Sequence, residues 1–117
     1  MLDGWSAVPN TFSRDVRAEY LRTFSDPATI HAICEEYRAA ATLDYQHDDN
    51  DRGRRRIACP VLALWSVRGL VHTWYDVLAV WREWADDVRG RALDCGHFLA
   101  EEAPDETYTE LRSFLAA

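Results

Sequence analysis

Ile57-Ala58-Cys59-Pro60-Val61-Leu62-Ala63-Leu64-Trp65 is the stretch on which the fold turns. A short, continuous apolar run of this kind is what a strand buried on both faces of a parallel sheet looks like. Pro60 belongs at its start, where a missing N–H costs the ladder little. Downstream, Ser66 to Thr73 reads as a loop around Gly69. Trp74 to Val88 reads as an amphipathic helix with Val77, Leu78, Val80, Trp81 and Trp84 facing inward. Arg91 to Cys95 is a second short strand, with Gly96-His97 at its C-terminal end. Pro104 to Leu115 is a final helix with Tyr108, Leu111, Phe114 and Leu115 on one side. Residues 57–117 therefore read strand–helix–strand–turn–helix, the pattern of an α/β parallel sheet. Two strands cannot bury themselves alone, and both would show open edges. The pattern predicts one end of a larger sheet.

Upstream the character is helical. Residues 1–14 read as a loop, with Gly4, Pro9, Asn10 and Ser13. From Asp15 to Phe24 the apolar positions Val16, Tyr20, Leu21 and Phe24 recur at helical spacing. Ser25-Asp26-Pro27 breaks the chain and restarts it, Asp26 as N-cap and Pro27 as first helical residue. The next helix is predicted over 27–45, with Ile30, Ile33, Cys34, Tyr37, Ala40 and Ala41 as its apolar stripe. His47 to Arg56 is the most polar stretch and reads as a solvated loop whose Asp and Arg blocks pair locally.

Composition narrows the function. The 117 residues make at most one domain's worth of chain, and five Trp argue against disorder. A net charge of −7 argues against a nucleic-acid partner, which calls for a basic face. No apolar stretch approaches the roughly 18 residues of a membrane span. Met1-Leu2-Asp3-Gly4-Trp5 lacks the basic start and apolar run of a signal peptide. Cys34, Cys59 and Cys95 are odd in number and form no CxxC, which argues against a disulfide framework or a zinc ribbon. A reducing cytoplasm is the expected compartment.

The strongest chemical feature is Asp94-Cys95-Gly96-His97-Phe98-Leu99-Ala100-Glu101-Glu102-Ala103-Pro104. A His just past the C-terminal end of a parallel strand sits where open α/β sheets place their ligands. There His97 can act as a general base, although a structural loop histidine fits the bare pattern equally. Glu101 and Glu102 read as acids that cap or polarise the start of the last helix. His31 reads as structural. A Cys/His zinc site lacks the usual ligand spacing, and a Cys95 nucleophile with His97 as base would need both side chains to converge across Gly96.

Gly96 to Pro104 resembles the catalytic-histidine loop of α/β-hydrolases. His31-Ala32-Ile33-Cys34-Glu35-Glu36-Tyr37-Arg38-Ala39 resembles the cap segment of fluoroacetate (haloacetate) dehalogenases. Pro60 to Trp65 and Trp81-Arg82-Glu83-Trp84-Ala85 resemble that family in the same order, so the likeness covers roughly residues 15–117. It implies the C-terminal fragment of an α/β-hydrolase fold: residues 1–56 as the second half of a helical cap, and residues 57–117 as the C-terminal part of the core, with its last two parallel strands. It further implies an Asp nucleophile that displaces halide from a small haloacid and forms an ester. His97 would be the base that activates water, Tyr37 a donor to the leaving halide, and Trp5 a lining residue of the substrate entrance. No cofactor and no metal is implied. The implied partners are the haloacid substrate, the missing N-terminal segment of the fold and a second copy in a homodimer, with no nucleic acid and no membrane.

Two departures stand against the family pattern. No nucleophile elbow occurs in the chain. The loop Ser66-Val67-Arg68-Gly69-Leu70 carries no carboxylate where many α/β-hydrolases hold the triad acid, and Ser66 replaces the family's usual Gly. An epoxide hydrolase, which uses the same nucleophile–histidine logic, is the alternative enzyme. An inactive truncated product and a small module docking through its open sheet edge are the alternatives outside catalysis.

Overall fold

The computed structural model describes residues 2–116. The chain divides into two compact units, residues 12–55 and residues 2–11 with 56–116.

The unit of residues 12–55 is all-helical: α2 (Arg14–Phe24), α3 (Pro27–Ala40) and α4 (Leu43–Asp51) follow α1 (Leu2–Trp5), which belongs to the other unit. Ser13 starts α2 by accepting the Val16 N–H on its hydroxyl at 3.3 Å, and Asp26 starts α3 by accepting the Ala28 N–H at 2.8 Å. Buried Phe12 meets Tyr20 edge to face at 5.7 Å between ring centres. The expected 27–45 helix stops at Ala40, because the Thr42 hydroxyl donates back to the Arg38 carbonyl at 2.7 Å and the Thr42 N–H to Ala39. The polar stretch expected to be a loop is helical as far as Asp51; Asp44 in its first turn favours the helix dipole. Only its Arg end leaves the helix, with Arg55 paired to Asp51 at 3.5 Å.

In the other unit, α1 (Leu2–Trp5) is a single turn where a loop was expected, closed by Ser6, whose N–H and hydroxyl both donate to the Leu2 carbonyl. Strands β1 (Val61–Ser66) and β2 (Val88–Leu93) pair in parallel, from Val61↔Val88 to Ser66↔Leu93. The crossover holds α5 (Leu70–Trp74) and α6 (Val77–Trp84). The predicted single helix of 74–88 is thus two, broken at Tyr75-Asp76, where the Asp76 carboxylate accepts the Ala79 N–H at 3.0 Å and starts α6 anew. Val77 is buried on α6 and Leu78 and Trp84 half-buried, whereas Val80 and Trp81 stay exposed. The last elements are α7 (Leu99–Glu102) and α8 (Pro104–Leu115); α8 packs on both strands.

β1 starts at Val61, with Ile57 making only an isolated bridge to Ala85, because Pro60 has no N–H for the ladder. β2 starts three residues before the expected position. Its first four residues, Val88-Arg89-Gly90-Arg91, can be polar because Arg89 pairs with Asp87 and Arg91 with Glu110 beside the sheet. Gly90, at φ 145°, lets the strands close: a Cβ there would overlap the Ala63 carbonyl. Leu93, Cys95 and Ala103 form the buried cluster, with Leu99 against it, directly beneath the turn that follows β2.

Candidate functional site

His97 lies on the turn after the C-terminal end of β2. That turn is tied on three sides. Toward β1, the buried Ser66 hydroxyl donates to the Cys95 carbonyl at 2.7 Å and accepts the Arg68 N–H at 3.0 Å. Arg68 in turn pairs with Asp94 at 2.9 Å. Ser66, which looked like a departure, therefore stitches the two strand ends together. Toward the N-terminal segment, the His97 N–H donates to the Trp5 carbonyl at 2.9 Å. Toward α7, the Glu102 carboxylate accepts four backbone N–H groups. Ala7 at 2.7 Å, Val8 at 3.3 Å and Gly96 at 3.0 Å donate to Oε2, and Phe98 at 3.1 Å donates to Oε1.

Glu102 is thus neither a cap nor a dipole acid for α8, which starts at Pro104 without a side-chain cap. Burial pushes its carboxyl up, but the four N–H donors together outweigh that and hold it below the ordinary carboxylate value. The same crowding explains Gly96. A Cβ at this position would overlap the Ala7 nitrogen and stand 2.5 Å from Glu102 Oε1 and 2.7 Å from Oε2. No side chain fits there.

The His97 side chain is exposed and held by rings rather than by hydrogen bonds. Trp5 meets it edge-on at 4.7 Å between ring centres and Phe98 at 5.1 Å. Cys95 is buried in the core cluster, and burial followed by the charges of Glu102, Glu106 and Asp94 pushes its thiol up, with Arg68 opposing. A thiol so placed is an inert core group, not a nucleophile. Cys34 and Cys59 are exposed. Among the described residues, no group of three His, Cys, Asp or Glu could hold a metal ion, and no helix is long and apolar enough to cross a membrane.

No family model matches the chain. It is 36% identical over 98% of its length to the fluoroacetate dehalogenase of Burkholderia sp, of which it spans 38%. It is 34% identical over 92% of its length to the soluble epoxide hydrolase of Corynebacterium sp. (strain C12), of which it spans 36%. The crystal structure of an α/β-hydrolase from Nostoc sp PCC 7120 superposes on 97% of the chain with a TM-score of 0.91 at 54% identity, over 39% of its own length. The chain belongs to the α/β-hydrolases.

It carries the C-terminal part of the α/β-hydrolase fold: a partial helical cap, and two parallel strands with their helices. It spans less than two-fifths of the length of the α/β-hydrolases it matches. Of the three side chains that sequence singled out, His97 and Trp5 are brought together in the unit that holds the strands. Tyr37 sits in the helical unit, in the last turn of α3, and is 68% exposed. His31 stands 3.9 Å from Glu35, one turn along α3. The loop after β1, where an α/β-hydrolase can hold its triad acid, presents Arg68 bound to Asp94. Sequence reasoning missed Glu102 and Ser66. The one signal for Glu102 was an acid five residues after the histidine, and its spacing carried no hint of partners at Ala7 and Val8.

Proposed function

We propose that this chain serves a hydrolytic dehalogenase acting on small 2-haloacids, with His97 as the base of the water-activating step. The His97 turn carries the reading: an exposed imidazole at the C-terminal end of parallel strands, on a backbone bound to three separate segments. A base that acts in one step of a two-step reaction needs that fixity. The nucleophile comes from polypeptide beyond these 117 residues. An aspartate oxygen attacks the halogen-bearing carbon, a C–O bond forms, and halide leaves with the electron pair of the broken bond. Water then adds to the ester carbonyl as His97 takes its proton. The acyl C–O bond breaks, the departing alkoxide takes back the proton that His97 holds and leaves as the hydroxy acid, and the aspartate carboxyl releases its own proton to solvent and returns as carboxylate. Tyr37 donates its O–H to the departing halide, and Trp5 walls the substrate space. Neither step calls for a cofactor or a metal. The partners are the haloacid and the rest of the fold, in a cytoplasmic homodimer.

The test is a chimera joining this chain to the remainder of the Burkholderia dehalogenase. With fluoroacetate or chloroacetate it should release halide over many turnovers. Its His97→Gln variant should release one equivalent and keep the ester, visible as an intact-mass adduct. Multiple turnovers in that variant would sink the assignment of His97. Turnover of an epoxide but of no haloacid would move the substrate to the class named by the Corynebacterium relative.

A further inference from the structure

We propose that Glu102 is the positioning residue of His97, a carboxylate clamp that fixes the base by binding the turn on both sides of it and the Trp5 segment at once. This rests on His97 serving as general base. Glu102 binds Gly96 and Phe98, the two neighbours of His97, and with the same carboxylate Ala7 and Val8, two and three residues past Trp5. The His97 N–H to Trp5 carbonyl bond and the edge-on ring contact lie between those anchor points. The side chain whose chemistry matters is therefore set by two segments that the Glu102 carboxylate binds to each other. A carboxylate suits this work because it is acceptor-only and offers about four lone-pair sites. An amide in its place would turn two donor hydrogens toward backbone N–H groups. Gly96 is the complement, since only a residue without a Cβ lets the carboxylate come so close.

Two measurements test this. The first is hydrogen exchange in the chimera. Glu102→Gln and Glu102→Ala should lose protection at Ala7, Gly96, His97 and Phe98 by about tenfold or more, while Val61 and Val67, bonded across the strands, keep theirs. Unchanged protection at the four sites would overturn the clamp. Loss throughout both strands would do the same, since it would make Glu102 a general support of the fold. The second is single-turnover kinetics in the chimera. Ester formation, which does not use His97, should keep its rate, while ester hydrolysis slows on the order of 10- to 100-fold. Glu102→Asp, which keeps the charge at shorter reach, should recover part of the hydrolysis rate. An equal slowing of both steps overturns the positioning role. A His97→Gln chimera that fails to trap ester overturns the dehalogenase reading instead, and leaves the exchange result to decide the clamp.

Discussion

At the scale of single residues, the site is a contest between burial and hydrogen bonding at one carboxylate. Burial raises the Glu102 carboxyl; the N–H groups of Ala7, Phe98, Gly96 and Val8 lower it and win. The folded value is thus below the unfolded one. The clamp's stabilisation is fully present above the ordinary carboxylate range and is lost as pH falls through the lower folded value. Three amides should report this together. The Ala7, Gly96 and Phe98 amide shifts should titrate with one common inflection below the ordinary glutamate range, and should lose it in Glu102→Gln. Separate inflections, or one at an ordinary carboxylate value, would contradict shared bonding to Glu102. Part of this site was legible. His97 and Gly96 stood out because they adjoin a strand end, a local relation. Glu102 was misread because its decisive partner, Ala7, is 95 residues away and contributes only backbone. Any residue type could sit at that partner position, so no sequence pattern marks it.

At the scale of elements, the same division between local and distant causes decides what could be read. The parallel pair was legible through β1, whose apolar run is its own signature. β2 was displaced in the reading because two of its first four residues are arginines that find acids beside the sheet. The end of α6 was also hidden. Its last carbonyls are bound from outside by Arg56, which donates to Arg82, Glu83 and Ala85 at 2.9 Å each while its Nε meets Asp86 at 2.7 Å. A guanidinium at a helix C-terminus answers both the open carbonyls and the negative end of the dipole. This contact starts the strand–helix unit, because Ile57, the next residue, bridges to Ala85. Arg56→Ala should lower the stability of this unit by about 1–2 kcal/mol, a figure kept low because the side chain is partly exposed. Arg56→Lys should recover less than half, since an ammonium cannot present the planar fork to three carbonyls. Urea unfolding of the chimera carrying each of the three residues measures it, and a lysine variant as stable as the parent would show that charge alone suffices.

At the scale of the whole molecule, the question is what two parallel strands can sustain. Among the described residues β1 pairs only with β2, so each strand leaves one edge unpaired. The buried apolar cluster beneath the His97 turn consists of Leu93, Cys95 and Ala103, with Leu99 added. Meanwhile Leu70, Val71, Trp74 and Tyr75 of the crossover are half or more exposed. A parallel sheet of two strands lacks the burial that independent stability requires, and unpaired edges beside apolar side chains invite pairing with another chain. The α/β-hydrolase relatives, more than twice as long, have chain to spare for that purpose. Taken alone at micromolar concentration, the 117-residue chain should therefore bind a hydrophobic dye and run as mixed oligomers in light scattering after size exclusion. In the chimera with the remainder of the Burkholderia enzyme, both signs should vanish and the melting transition should sharpen and rise. The comparison is diagnostic because the chimera changes no residue of this chain. A monomeric chain that melts cooperatively without its complement would mean that the crossover helices already cover the sheet. The open edge would then be a docking surface in its own right, and catalysis would cease to be the better account of why His97 is held so firmly.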